Sequence, residues 1–201
     1  MKIINFLRYR FRKFLMEEKT IDDYIKRGLK IGIGCDIKDN VILDYGACNL
    51  ITIGNNVTIA PQAYLLAHDA STKRDLGYTK IGLINIEDNV FIGARSIIMP
   101  GVTVGKNSIV AAGSIVTKDV PPNTVVAGNP AKIITSKEQY INKNKMLLEQ
   151  CPKFSWDYTC DSGKLDKKKM DELSDRWHKK HSGKAEKVSL SDYVRKDVLK
   201  S

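Results

Sequence analysis

The sequence is poor in the residues that metal centres and disulfide frameworks require. Its 201 residues include three histidines and four cysteines, Cys35, Cys48, Cys151 and Cys160. The cysteines lie at no metal-ligand spacing, so we expect reduced thiols and no metal site. Cys35 and Cys48 are best interpreted as packing residues rather than as nucleophiles.

Long apolar runs are also missing. No run approaches the ~20 residues of a membrane-spanning helix. The first residues, MKIINFLRYRFRKFLMEEK, are interrupted by Arg and Lys where a signal peptide has a continuous apolar region. We therefore expect a soluble, cytoplasmic protein. The segment from Ile3 to Leu15 either caps the domain as a helix or makes peripheral contact with an anionic membrane.

The formal net charge of +10 raises the question of nucleic-acid binding. The excess lies mainly at the two ends of the chain, and no alternation of aromatic and basic residues marks the middle. We expect no nucleic-acid partner. A phosphate-bearing ligand would still find local positive charge useful.

A six-residue repeat occupies the middle of the chain. A branched apolar residue returns at every sixth position, at Ile86, Ile92, Ile98, Val104, Val110 and Val116. The same period occurs earlier, at Ile31, Ile37 and Leu43 and again at Ile53, Ile59 and Leu65. Helical faces recur at three, four and seven instead. Six residues suit one short strand and one corner, so the period predicts a parallel β-helix whose branched residues point inward.

Departures from the repeat divide the chain into three parts. Residues 1–28 are predicted to form a helical segment and residues 29–135 the β-helix, with a register break between Leu43 and Ile53. A loop at about 69–83 is predicted to leave the helix. Residues 136–201 form a carboxy-terminal helix and basic tail, with Ser136 as the N-cap of a helix to Gln150.

Three segments carry a resemblance to a known family: IGNNVTIAP, IEDNVFIGARSIIMPGVTVG and AAGSIVTKDVPPNTVVAGNPAKII. They are similar to the hexapeptide-repeat acyltransferases, in particular the maltose and galactoside O-acetyltransferases and the polysaccharide O-acetyltransferases. The resemblance implies an all-β solenoid, a left-handed parallel β-helix. It also implies a homotrimer that transfers acetyl from acetyl-coenzyme A to a sugar hydroxyl, without a metal.

His68 is the candidate catalytic residue. An alcohol needs a general base before it attacks a thioester, and His is the side chain best tuned for that task. His178 and His181 lie in the Lys-rich tail, where we expect them to be solvated. His68 ends the segment LLAHD where the repeat yields to the loop, and the resemblance implies that the catalytic His occupies this junction.

The coenzyme and acceptor sites follow from the same resemblance. It implies backbone contacts to the pantetheine arm at Ala94 and Ala112, with close approach at Gly93 and Gly113. The residues it places near the nucleotide phosphates are Thr117, Lys118 and Lys132. The candidate acceptor-binding residues are Asn40, Asp69, Arg74 and Tyr78, and Asp44 and Asp75 are further polar candidates. Asp69 alternatively orients neighbouring backbone.

Two other functions remain open at this level. An N-acetyltransferase of a nucleotide-linked amino sugar shares the fold but commonly carries an amino-terminal nucleotide-sugar module, and no Gly-rich βαβ start is present. A metal-bearing β-helix of the γ-class carbonic anhydrase type needs three histidines at subunit boundaries. Only His68 lies in the repeat. The loop HDASTKRDLGY resembles that of acetyltransferases that modify capsule or O-antigen sugars, and this resemblance implies an acceptor in polysaccharide biosynthesis.

Overall fold

The computed structural model describes residues 19–150, 153–182 and 193–195. The chain divides into two compact units, one ending at Gln139 and the other beginning at Tyr140. The basic segment Ile3–Leu15, with its predicted membrane contact, lies outside the described residues. Of the predicted amino-terminal helical segment, the structure describes the short helix α1 (Ile21–Lys26).

The first unit is built almost entirely of two- and three-residue strands. Before the loop they are β1 (Lys30–Ile31), β2 (Asp36–Ile37), β3 (Ile42–Leu43), β4 (Ile51–Ile53), β5 (Thr58–Ile59) and β6 (Tyr64–Leu65). The loop contains β7 (His68–Asp69), helix α2 (Lys73–Leu76) and β8 (Lys80–Ile81). After it come β9 (Ile84–Ile86), β10 (Phe91–Ile92), β11 (Ile97–Ile98), β12 (Thr103–Val104), β13 (Ile109–Val110), β14 (Ile115–Val116), β15 (Thr124–Gly128) and β16 (Ala131–Ser136).

The strands form three parallel sheets that the chain visits in a fixed order. Sheet 1 contains β1, β4, β9 and β12; sheet 2 contains β2, β5, β10, β13 and β15; sheet 3 contains β3, β6, β11 and β14. Asn85 pairs with Thr103 and Phe91 with Ile109, so one coil takes three hexapeptides. The chain thus winds as a β-helix whose coils stack at the ordinary strand spacing of ~4.8 Å.

The repeat positions form the core, as predicted. The branched residues that open each repeat are at most 2% exposed at nine positions, namely Ile53, Ile59, Leu65, Ile86, Ile92, Ile98, Val104, Val110 and Val116. The residues four places further on are buried as well, namely Val57, Ala63, Val90, Ser96, Val102, Ser108, Ser114 and Val120. The Ser96 hydroxyl donates to the Gly93 carbonyl oxygen at 2.7 Å, so its polar group costs little inside the core.

The corners between sheets require left-handed backbone at the fourth place of the repeat. Asn56, Asn89 and Asn107 have φ between 53° and 60°, and Gly101 and Gly113 adopt the same region. Asn and Gly tolerate this conformation best among the residues. Gln62 and Arg95 also adopt it, with φ of 62° and 58°, and the Arg95 Nε donates to Gln62 Oε1 at 2.7 Å.

The two glycines predicted to give close approach act for different reasons. A Cβ on Gly93 would collide with the backbone of Ala112 in the next coil, so Gly93 allows the coils themselves to approach. A Cβ on Gly113 would meet nothing within 4 Å, and Gly113 instead supplies a φ of +69° at a corner.

Both ends of the β-helix depart from the simple repeat. The predicted register break is a 3-10 turn at Cys48–Leu50 between β3 and β4. The last parallel strand is β15, after which β16 turns back antiparallel to it. The repeat therefore ends before Ile133 and Ile134, which are 56% and 58% exposed.

Helix α3 (Lys137–Gln150) joins the two units, and the Ser136 Oγ accepts from the Gln139 N–H at 3.2 Å, confirming the predicted N-cap. The second unit also contains β17 (Lys153–Ser155), two 3-10 turns, α4 (Lys167–Ser182) and β18 (Tyr193–Arg195), which pairs with β17. No helix in the described residues is long and apolar enough to cross a bilayer.

Candidate active site

The corner between sheets 3 and 1 carries the one large excursion of the β-helix. The chain leaves after β6, forms the antiparallel pair β7–β8 and re-enters at β9. His68 lies opposite Ile81 at the base of this hairpin. The excursion lies where the sequence predicts a loop, at about 69–83, and backbone pairing fixes His68 where this loop joins the β-helix.

A buried carboxylate one coil below holds His68. Asp44 follows β3 at the same corner, and its Oδ2 accepts from the His68 Nδ1. The same oxygen accepts from the backbone N–H groups of Ala67 and His68, each at 3.0 Å. The Asp44 side chain is 2% exposed, whereas that of His68 is 40% exposed. One carboxylate oxygen of Asp44 therefore holds both the backbone and the imidazole ring of His68.

This arrangement sets the chemistry of the imidazole. A carboxylate accepts and does not donate, so the Nδ1 of His68 carries the proton and the Nε2 keeps a lone pair. Tyr64 in β6 lies near Asp44, and burial followed by the charge of Asp44 raises the pKa of the Tyr64 phenol. Tyr64 thus remains neutral beside the pair. The imidazole side chain is 40% exposed, so its Nε2 can take a proton from an alcohol that reaches it.

The predicted acceptor-binding residues of the loop have separate surroundings. Asp69 accepts from the Ser71 N–H at 2.9 Å, and this bond and the Ser71 side chain lower the pKa of the Asp69 carboxyl. Asp69 therefore orients its own backbone, as the alternative interpretation expects. Arg74 lies in α2, and the side chain of Tyr78 is 80% exposed.

The predicted coenzyme residues fall on two different corners. Ala94 and Ala112 stack in consecutive coils at the corner between sheets 2 and 3, where the Gly113 N–H donates to the Ala94 carbonyl oxygen at 2.8 Å. Thr117 and Lys118 directly follow β14, so they lie at the corner between sheets 3 and 1, which also carries His68. The strands of sheet 3 separate these two groups within one chain.

Two further predicted residues lie away from His68. Lys132 is exposed in β16 and pairs with Ala127, at the end of sheet 2. Asn40 lies between β2 and β3 with a φ of 60°, at the corner between sheets 2 and 3. Asn40 and His68 therefore lie at opposite edges of sheet 3.

From the sequence, Asp44 is predicted only as a further polar candidate for the acceptor site. Its pairing with His68 joins positions that are 24 residues apart, across the register break. An acidic residue directly after an inward apolar residue at the corner below His68 is the signal that points to it. In the described part of the chain, no group of three or more His, Cys, Asp or Glu is placed to hold a metal ion.

Comparisons with known proteins identify relatives of this chain. Residues 84–118 match the family model described as hexapeptide repeat of succinyl-transferase. A putative acetyltransferase of Schizosaccharomyces pombe is 48% identical over 44% of this chain and 44% of its own length. The galactoside O-acetyltransferase of Escherichia coli is 42% identical over 55% of this chain and 56% of its own.

A solved structure extends the similarity to three dimensions. It is a hexapeptide-repeat-containing acetyltransferase of Vibrio cholerae complexed with acetyl-coenzyme A, 41% identical, with a TM-score of 0.50. The match covers 55% of this chain and 61% of that one. This chain spans about half the length of the curated relatives it matches. The chain is therefore similar, through its repeats, to hexapeptide-repeat acetyltransferases.

Proposed function

We propose that this protein is an acetyl-coenzyme A-dependent O-acetyltransferase that acts on a sugar hydroxyl in the biosynthesis of a surface polysaccharide. One observation carries the proposal: the exposed imidazole of His68 is held by buried Asp44 where the loop leaves the β-helix. The similarity to a galactoside O-acetyltransferase and to a protein complexed with acetyl-coenzyme A supplies the donor and the acceptor class.

The reaction follows from this geometry by direct transfer. The Nε2 of His68 takes the proton of the acceptor hydroxyl while the hydroxyl oxygen attacks the thioester carbonyl carbon. The new C–O bond forms as the carbonyl becomes a tetrahedral oxyanion. The oxyanion then collapses, the C–S bond breaks, and the leaving thiolate receives the proton held by His68. Asp44 keeps Nδ1 protonated and stabilises the imidazolium between these steps.

A second copy of the chain completes the site in this proposal. Ala94 and Ala112 lie at one edge of sheet 3, and His68, Thr117 and Lys118 lie at the other. A threefold assembly brings the first edge of one copy against the second edge of the next. We propose that a left-handed β-helix assembles as this homotrimer and holds coenzyme A in the grooves between copies.

In these grooves, different residues contact different parts of the coenzyme. The backbone at Ala94 and Ala112 contacts the pantetheine arm, and Thr117, Lys118 and Lys132 bind the nucleotide phosphates as hydrogen-bond donors and point charges. We assign Asn40, Arg74 and Tyr78 to the acceptor side. We also propose a cytoplasmic location, since the free thiols of Cys35, Cys48 and Cys160 suit a reducing compartment.

Product analysis tests the proposal. The purified protein is incubated with acetyl-coenzyme A and a panel of sugars and oligosaccharide repeats, and mass spectrometry follows the acetylated product. We expect an acetyl group that alkaline hydroxylamine removes, as it removes an oxygen ester. An acetyl group that resists hydroxylamine and sits on an amino sugar would show N-acetyl transfer instead. A protein that binds acetyl-coenzyme A but acetylates no carbohydrate would contradict the proposal.

A further inference from the structure

Two cations converge on the aromatic ring of Tyr45, the residue after Asp44. Tyr45 directly follows Asp44, and its ring packs edge-on against Tyr24 with the ring centroids 5.3 Å apart and the planes at 85°. The guanidinium carbon of Arg27 lies 4.3 Å from the Tyr45 ring centroid. The Lys19 ammonium lies 5.2 Å from the same centroid. We call Lys19, Arg27 and Tyr45 the cationic platform.

The register break between β3 and β4 fixes the platform in place. Cys48 is 1% exposed, and its Sγ lies 3.7 Å from the Tyr24 carbonyl oxygen and 3.8 Å from that of Arg27. A Cβ on Gly28 would come within 2.9 Å of the Asn49 Cβ, so the backbone after Arg27 lies directly against the inserted residues. The extra residues of the first coil, Cys48 and Asn49, thus hold the end of α1 against the register break.

Within residues 19–150, 153–182 and 193–195, no carboxylate pairs with the charges of the platform. The Oδ2 of Asp44 already accepts three hydrogen bonds from Ala67 and His68. The Asp23 Oδ2 accepts from the backbone and hydroxyl of Thr20 at 2.8 and 2.7 Å. Neither Lys19 nor Arg27 forms a salt bridge with a carboxylate of the residues described, and both are exposed.

A guanidinium against an aromatic ring keeps its in-plane N–H groups available. Stacking uses the face of the guanidinium, whereas the fork of donors at its edge matches a carboxylate or phosphate in two parallel hydrogen bonds. The ring also limits the rotamers of the long side chain, so less entropy is lost when an anion binds. Lys19 adds a second positive charge over the same ring.

We infer that the acceptor carries a negatively charged group, a carboxylate or a phosphate, that binds to the cationic platform while its hydroxyl faces His68. The inference rests on the proposed function and names the acceptor's chemical class. Because Tyr45 is the next residue after Asp44, the charged group belongs to the sugar that is acetylated or to the unit joined to it. A neutral simple sugar would offer no anion for Lys19 and Arg27 to bind.

Matched acceptors distinguish the two sources of charge. One pair is methyl galactopyranoside and methyl galactopyranosiduronate, which differ by a carboxylate. The other is N-acetylglucosamine and N-acetylglucosamine 1-phosphate, which differ by a phosphate. The wild-type protein should show a kcat/KM about 10-fold or more higher for the charged member of at least one pair, as expected for charge-assisted hydrogen bonds. The pair that shows the preference identifies the source.

Variants of the platform assign the preference to Arg27. Arg27→Gln should lower kcat/KM for the preferred charged acceptor about 10-fold and leave kcat/KM for its neutral partner unchanged. Arg27→Lys should recover part of the loss because it restores the charge without the fork. Lys26→Gln, which removes an exposed charge one residue away, is the matched control and should change neither value.

Three results would overturn the inference. The first is equal kcat/KM for the charged and neutral members of both pairs in the wild-type protein. The second is an Arg27→Gln variant that loses activity equally on charged and neutral acceptors, which would make Arg27 a support of the fold. The third is no acetyl transfer to any of the four compounds or to the wider carbohydrate panel, which would overturn the proposed function as well.

Discussion

The Oδ2 of Asp44 accepts a hydrogen bond from the Nδ1 of His68, a residue 24 positions further along the chain. The bond links two successive coils at the corner where the loop leaves the β-helix. Since Asp44 is buried and also holds the backbone of residues 67 and 68, it fixes both the ring and the main chain of His68. Asp44 acts in our account as a positioning residue, and His68 as the catalytic base.

Replacing His68 tests the base itself. We expect His68→Ala to lower kcat by about 10²–10⁴-fold, the usual contribution of a general base. Coenzyme A binding should stay unchanged, because no predicted contact to the coenzyme uses this side chain. Steady-state kinetics and calorimetric titration with coenzyme A measure the two effects. His181→Ala, in the Lys-rich tail, is the control, and a His68→Ala enzyme with wild-type kcat would place the base elsewhere.

Two replacements of Asp44 separate its two duties. Asp44→Asn keeps an oxygen for the backbone donors of Ala67 and His68 but loses the charge that faces the imidazole. We expect kcat to fall about 10–10²-fold, less than on loss of the base, with KM for acetyl-coenzyme A unchanged. Asp44→Ala leaves two backbone N–H groups without their acceptor, which should cost about 1–3 kcal/mol for each one that water cannot reach.

Urea unfolding of both Asp44 variants at equal protein concentration completes this test. We expect Asp44→Ala to unfold at clearly lower urea than Asp44→Asn. If Asp44→Asn retained full kcat, or if the two variants lost stability and activity in the same proportion, the orienting role of Asp44 would be wrong.

Lys118 tests the phosphate side of the groove. Lys118 is exposed at the corner between sheets 3 and 1, so a contact to a phosphate is worth about 1 kcal/mol or less, up to about fivefold in Kd. Lys118→Ala should therefore weaken coenzyme A more than dephospho-coenzyme A, and high salt should shrink the difference. Lys106→Ala, at the corner between sheets 1 and 2, is the control. Equal weakening for both ligands would indicate a structural role for Lys118.

The two glycines give a prediction about stability. Gly93→Ala places a methyl group against the Ala112 backbone, which cannot yield without moving a coil, so we expect a loss of about 1–3 kcal/mol. Gly113→Asn has open space around its Cβ and joins Asn56, Asn89 and Asn107 in a corner conformation that Asn accepts. Its cost should stay below about 1 kcal/mol. Denaturant unfolding compares them, and equal losses would refute the close-approach argument.

The sequence predicts the β-helix well because the repeat is local. Each branched residue specifies its own inward position, and the parallel stacking follows from six-residue spacing without knowledge of distant contacts. The corner conformation was not predicted, although Asn or Gly stands at the fourth place in most units. Gln62 and Arg95 break that pattern, and only the structure shows that they adopt the same backbone.

The parts that escape sequence reasoning depend on contacts across coils. The pairing of Asp44 with His68 spans the register break, so it cannot be predicted from the six-residue spacing. The antiparallel turn of β16 is hidden because Ile133 and Ile134 are branched apolar residues like those of the core. A pattern of apolar residues does not distinguish parallel from antiparallel pairing. The convergence of Lys19 and Arg27 on Tyr45 is likewise a tertiary contact.

The central claim is that each acyl-transfer site is formed by one corner from each of two copies of the chain. Mixing two inactive variants tests this claim. His68→Ala damages the corner between sheets 3 and 1, and Ala112→Trp blocks the corner between sheets 2 and 3. Each variant alone should be nearly inactive. Unfolded and refolded together, they form mixed trimers in which some interfaces pair two intact corners, and we expect acetyl-coenzyme A turnover to return to a substantial fraction of the wild-type rate. Mixed trimers that stay as inactive as the separate variants would contradict the account.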